Sequence, residues 1–257
     1  MLILGIESSG LTASAAVLDD EKLIAEYTVN NAMTHSQTLM PMIDSVMKSA
    51  GKEPEELDAI AISRGPGSFT GLRIGSATAK GLGLALNKPL VEVPTLDAMA
   101  YSLYGITDRI ICPIMDARRS EVYSGAYVFE KISVDNSNET VFNMKNILPE
   151  NAGPVEELVE KLEKLIDDSG KTDENPVTNG LKGVLFLGDG VKPYRELILG
   201  KIKTGCSFAP EFLSRQRAAS VAALGMEMFR QGKYISADNH APVYLRMSQA
   251  EREAAKT

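Results

Sequence analysis

The chain has 257 residues, with 27 Lys and Arg against 34 Asp and Glu and a formal net charge of −7. This length allows about two domains of ordinary size, and the acidic balance excludes a broad phosphate-backbone footprint, which needs concentrated cations to release counterions. Hydrophobic residues make up 44% without an apolar run long enough to span a bilayer, and the strand-like start has no basic flank or small-residue cleavage site, so a cytoplasmic globular protein is expected.

In chain order, "MLILGIESSGLTASAAVLDDEKLIAEYTV" reads as strands around "ESSGLT" and "DDEK". From Thr34 the period becomes helical: Leu39, Ile43, Val46 and Ala50 share one stripe, while Met40, Met42 and Met47 lie off it. That helix is therefore expected to be apolar on more than one face, and methionine suits adaptable contact surfaces. The run "GKEPEELDAIAIS" gives a loop and a buried strand, and the Gly-rich "SRGPGSFTGLRIGSATAKGLGLAL" opens a second helix. "KPLVEVPTLDAMAYSLYG" adds another strand and a third helix, and this alternation marks an α/β lobe.

The Gly-rich stretch has the order of a phosphate cradle, a strand followed by a glycine turn and a helix start, but not its letters. Gly67 and Gly71 enclose three residues and Leu72-Arg73 follow, so the Walker loop fails; Thr70 stands where the third glycine of a dinucleotide fingerprint belongs. A steric role is the alternative. Gly65-Pro66-Gly67 makes a tight turn, Ser68 caps the helix, and Gly71, Gly75, Ala79 and Gly83 repeat every fourth residue. Interior helix glycine is unfavourable by roughly 1 kcal/mol against alanine, so something must approach this edge closely. It is either a partner, with about 800 Å² buried on each side, or a neighbour within the same lobe. On the first reading Gly75→Leu leaves a folded monomer that no longer associates; on the second it prevents folding.

At Arg109 the pattern restarts. "RIICPIMDARRSEVYSGAYVFE" parallels the opening segment, with Asp116 at the place of Glu7, and "GVLFLGDGVKPYRELI" parallels "AIAISRGPGSFTGLRI". Two lobes on one plan are expected: residues 1–105 joined by a helix near 215–232, residues 106–214, and a tail over 233–257. "PVEELVEKLEKLIDD" is an amphipathic helix with Val155, Leu158, Leu162 and Leu165 on one side, and "SGKTDENPVTNGLKG" a polar mobile loop. "RAASVAALGMEMFRQGKY" is helical, and "ADNHAPVYLRMSQAEREAAKT" an extended tail with a frayed end. Cys112 and Cys206 are isolated, and His35 and His240 lie too far apart in sequence for a His-x-x-x-His metal pair. Asp116, Arg118 and Glu121 read as a solvated or ion-paired turn, with a functional role as the alternative.

The segments "LGIESSGLTASAAVL", "HSQTLMPMI", "RGPGSFTGLRIGSATAKGLGLAL", "VPTLDAMA", "DARRSEVY", "LGDG" and "APVYLR" resemble the TsaB family, also called YeaZ, in order and spacing over nearly the whole chain. The resemblance implies the two-lobed α/β fold of the actin, sugar kinase and Hsp70 superfamily. It also implies a non-catalytic role in forming N6-threonylcarbamoyladenosine in tRNA beside the anticodon. In that family the modifying enzyme is the paralogue TsaD, with a metal held by paired histidines; TsaB pairs with TsaD, the ATPase TsaE joins them, and TsaB alone forms a homodimer. tRNA would be met through the complex.

The family contact surface falls on the helices beginning near His35 and Phe69. Its candidates here are His35, Leu39, Met42 and Met47 on the first and Phe69, Thr70, Leu72, Arg73, Gly75 and Ala79 on the second. No cofactor is expected, ATP being possible only at or near the complex. Glu7, Ser8, Ser9 and Thr12 are weak nucleotide candidates, because the superfamily's first phosphate turn uses Asp where this chain has Glu7. The extra methylene moves a Mg²⁺-bound water further than octahedral geometry tolerates. A sugar-kinase-type phosphotransferase and a metallopeptidase are the alternatives. The segment from Ser133 to Gly183 carries little of the family signature.

Overall fold

The computed structural model describes residues 1–31, 33–133, 140–169 and 180–246. Most of the polar loop read at 169–183 and the end of the tail lie outside them. The chain forms two units, one made of Met1–Ala98 with Gln216–Thr257 and the other of Met99–Arg215. Among the described residues, no helix is long and apolar enough to cross a membrane.

The first unit is a five-stranded sheet with strands β1 (Leu2–Glu7), β2 (Ala13–Asp19), β3 (Lys22–Val29), β4 (Ala59–Gly65) and β5 (Leu90–Pro94), in the order β3-β2-β1-β4-β5. The first three form an antiparallel meander, and β4 and β5 add in parallel to β1. Side chains alternate across the strands. Leu4, Ile6, Ile60 and Ile62 point into a core shared with α1 (His35–Ala50) and α2 (Phe69–Leu86). On the opposite face Gly5 and Ala61 meet Ala222 and Gly225 of α7 (Ala218–Arg230); a Cβ on Gly5 would lie 2.8 Å from that of Ala222. Small residues on both sides let α7 settle close to the strands. Glu26 on β3 holds the start of α7, accepting the Ala219 N–H at 3.0 Å and pairing with Arg217, which satisfies donors that a helix start leaves open.

The second unit contains β6 (Ile110–Arg118), β7 (Glu121–Ser133), β8 (Thr140–Pro154), β9 (Val184–Leu187) and β10 (Cys206–Phe208). Its order, β10-β9-β6-β7-β8, read from the β8 edge, is that of the first sheet, with the same antiparallel and parallel pairs. The internal similarity read at Arg109 is a duplicated topology, the plan that the actin-like resemblance implies. The α4 helix (Val155–Ser169) places Val155, Leu158, Val159 and Leu162 against one face of the sheet, beside α5 (Val191–Lys201). Between β5 and β6 in the sequence comes α3 (Thr95–Tyr101), and α6 (Glu211–Ser214) follows β10.

Candidate functional site

The turn between β1 and β2 brings Glu7, Ser8, Ser9 and Thr12 together, all of them buried. Glu7 Oε1 accepts the Ser9 N–H at 2.5 Å and the Ser9 hydroxyl at 2.6 Å. The donors that such a turn would present to a bound anion are turned onto the protein's own carboxylate. Ser8 Oγ donates to Gly71 O at 2.9 Å, Ser68 N–H donates to Ser9 O at 2.7 Å, and Thr12 Oγ1 donates to Gln216 O at 3.1 Å. The head of α2 is therefore bolted onto the turn. Gln216 is buried over Gly10 with neither side-chain amide atom hydrogen-bonded.

Burial pushes the Glu7 carboxyl above its ordinary value, against the two Ser9 bonds, which favour the charged form. The folded chain thus holds this proton more tightly than the unfolded chain. Its contribution to stability is full below the ordinary carboxylate range and declines as pH rises from about 4.5 toward the raised value. Glu7→Gln carries no such proton. Thermal melts from pH 4 to 7 should move in the variant's favour as pH rises, by about 1.4 kcal/mol per unit of raised pKa.

The glycine edge of α2 faces this turn and its own core. A Cβ on Gly67 would meet Ser9, one on Gly71 would meet Ser8 O, and one on Gly75 would overlap Ser8 Oγ and lie 3.2 Å from Ile62 Cδ1. Gly83 lies against Ala237, and Ala79 is fully buried. Of the two readings of the stripe, the one within the lobe holds. Gly75, Ala79 and Leu72 are not available to a partner, and neither are Leu39, Met42 and Met47, which point into the core beneath α1. The methionines expected to be spare fail as a group because α1 buries a stripe wide enough to take Met42 and Met47; Met40 alone of the three is exposed.

Four interface candidates keep access: Thr70 and Arg73 are exposed, and His35 and Phe69 are half-buried. His35 also ties α1 to the turn, its Nε2 lying 3.0 Å from Gly10 O. Residues that the pattern did not single out extend the exposed side of α2. Ala77, Gly81 and Leu84 continue the row from Thr70 and Arg73 at intervals of three and four, and no atom lies within 4 Å of a Cβ built on Gly81. Met33 is 53% exposed and Met40 47%. Of the helix's interior glycines, Gly81 alone stood off the fourfold repeat, and that offset was the available signal.

In the second unit Asp116 and Asp189 meet at the carboxyl ends of β6 and β9. Asp189 Oδ1 accepts the Asp116 N–H at 3.1 Å, and Asp116 Oδ1 accepts the Arg118 N–H at 2.8 Å and the Tyr194 hydroxyl at 3.1 Å. Burial raises Asp189, opposed by the Asp116 N–H and by Arg215. Arg118, Arg119 and Ser120 all take left-handed φ, near 60°, which non-glycine residues rarely do in succession. The ion pair of Asp116 with Arg118 at 3.3 Å fits the reading of a paired polar turn. Burial also pushes the thiols of Cys112 and Cys206 up.

The family model for TsaD, tRNA N6-adenosine threonylcarbamoyltransferase, matches residues 22–254. A tRNA threonylcarbamoyladenosine biosynthesis protein TsaB from Bacillus subtilis is 32% identical over 253 residues, covering 98% of this chain and 96% of that protein. A tRNA N6-adenosine threonylcarbamoyltransferase of Porphyromonas gingivalis is 38% identical over 112 residues, 38% of this chain and 33% of its own. The solved structure of YeaZ from Pseudomonas aeruginosa superposes with a TM-score of 0.69 at 24% identity, covering 95% of this chain and 99% of that one.

Proposed function

The chain belongs to the TsaB family of tRNA threonylcarbamoyladenosine biosynthesis proteins, and from that premise we propose that it is a non-catalytic scaffold which stabilises and orients the paralogue TsaD. It contributes no reacting group to the modification of tRNA beside the anticodon. The observation that carries the reading is Glu7. Its carboxylate takes both donors of Ser9, and α2 closes on the same turn, so the place where a phosphate would be held is filled from within.

What the chain offers instead is the outward side of α1 and α2. Ala77 and Gly81 leave a shallow stretch between the larger Arg73 and Leu84 on α2, and Met33 and Met40 are exposed at the start of and within α1. A paralogue built on the same two helices can lay its own pair against this row at close interaxial distance. A second copy of this chain fits the same face when TsaD is absent, giving a homodimer. TsaE and tRNA join through the complex, in the cytoplasm.

The test is reconstitution of tRNA modification from cognate TsaD, TsaE and the adenylate-forming enzyme, with and without this chain. Modification that requires the chain, together with negligible ATP turnover by the chain alone, is the expected result. Robust ATP hydrolysis or sugar phosphorylation without partners would replace the scaffold by a phosphotransferase.

A further inference from the structure

After α7 the chain does not leave the first unit. Ile235 exchanges both backbone hydrogen bonds with Leu90 on the free edge of β5, at 2.9 Å each. Ala237 fills the space above Gly83, and Lys80 Nζ donates to Asp238 O at 2.7 Å. His240 then turns inward, with Nδ1 2.6 Å from Glu92 Oε1 and the ring fully buried. Beyond it, Val243 N–H donates to Arg64 O at 2.7 Å, its own carbonyl lying where any side chain at Gly65 would be. The segment ends over the first turn of α2. The Tyr244 ring lies 4.7 Å from that of Phe69, Arg73 Nε donates to the Tyr244 hydroxyl at 3.3 Å, and the Arg73 guanidinium sits 4.0 Å above the Phe69 ring.

This segment has a strong anchor and a loose tip. His240 Nδ1 meets a partly exposed Glu92 carboxylate while its buried Nε2 finds no partner among the described residues; a hydrogen bond to a charged group is among the stronger contacts a side chain makes, whereas Val243, Tyr244 and Leu245 are each more than a third exposed. We propose that residues 233–246 form a strap, pinned by His240 on Glu92, which presents Tyr244 beside Phe69 and Arg73 as a third element of the surface that docks TsaD. The proposal rests on the docking reading above and extends it to residues outside both helices. Among the described residues Arg73 is engaged by a ring and a phenol, and its exposed guanidinium suits an acidic side chain. The matching feature on the partner is an acidic residue next to an apolar one, resting on the two rings. His240 is a positioning residue in this scheme.

The chain has no tryptophan, so Tyr244→Trp gives a single fluorophore at the strap tip. In that background His240→Ala should raise quenching by acrylamide several-fold, while His240→Asn, which keeps a donor toward Glu92, should restore protection. In calorimetric titration of cognate TsaD, His240→Ala should weaken binding about tenfold or more, and His240→Asn should recover most of it. Tyr244→Ala, at an exposed position, should weaken binding without disturbing the melt, and serves if His240→Ala does not fold. Equal quenching in His240→Ala and its parent overturns the anchor. Unchanged TsaD binding by Tyr244→Ala overturns the docking role of the strap. If Gly81→Arg abolishes association in that case, the helix face stands without the strap; if it too has no effect, both fall.

Discussion

Gly75→Leu should give a chain whose first unit is strongly destabilised. The added Cβ alone would overlap Ser8 Oγ, and the branches beyond it would press on Ile62, between a turn held by three hydrogen bonds and a fully occupied core. Overpacking in a dense interior commonly costs about 1–3 kcal/mol. Here backbone must move as well, because Ser8 is tied to Gly71 O and Ser68 to Ser9 O, so the effect belongs at or beyond the upper end. That is a large share of an ordinary domain's stability of about 5–15 kcal/mol. Urea titration followed by far-UV circular dichroism should show the loss. A native-like transition for Gly75→Leu would mean that the helix edge is not seated on the turn.

Gly81→Arg, six residues further along the same helix, should behave in the opposite way. Nothing lies within 4 Å of a Cβ at Gly81 and the position is exposed, so the fold should be kept. Its helix should gain up to about 1 kcal/mol, since arginine is a far better helix former than glycine. Association should be lost. An arginine in the middle of a row made of Ala77, Gly81 and Leu84 holds the two helix pairs apart and leaves its charge without a partner in the contact. A fall in TsaD affinity of at least about a hundredfold, read by calorimetry or analytical ultracentrifugation with an unchanged melt, is expected. Retained affinity places the interface elsewhere.

These two glycines show what a linear pattern can and cannot convey. A fourfold repeat of small residues identifies which edge of α2 something approaches, and that much was visible in Gly71, Gly75, Ala79 and Gly83. It does not identify the approaching body, because a turn of the same chain and a helix of another chain make the same demand for space. The occupant at Gly71 and Gly75 is the β1–β2 turn, more than sixty residues away, and at Gly83 it is Ala237. Only the sheet register, which sets β1 beside β4, brings Ser8 under the helix.

The duplicated sheet was legible because β-branched runs followed by glycine turns occur twice with similar spacing. The strap was not. "APVYLR" has neither helical nor strand periodicity, and its order comes from single contacts: His240 on Glu92, Val243 on Arg64, and Tyr244 on Phe69. Likewise Glu7 reads as a poor substitute for an aspartate until its geometry with Ser9 is seen. Its Oε1 takes both the N–H and the hydroxyl of Ser9, which no linear pattern displays.

The first unit is built from both ends of the polypeptide, with α7 and the strap arriving from after Arg215. A ribosome making this chain releases β1 to β5 first, and the face bearing Gly5 and Ala61 stays uncovered until all of Met99–Arg215 has been synthesised. At about 5–20 residues per second that interval is roughly 6 to 25 seconds. Met99–Arg215 is contiguous and can close its own core before the final segment exits, so the sheet that is made first is the last to have this face covered.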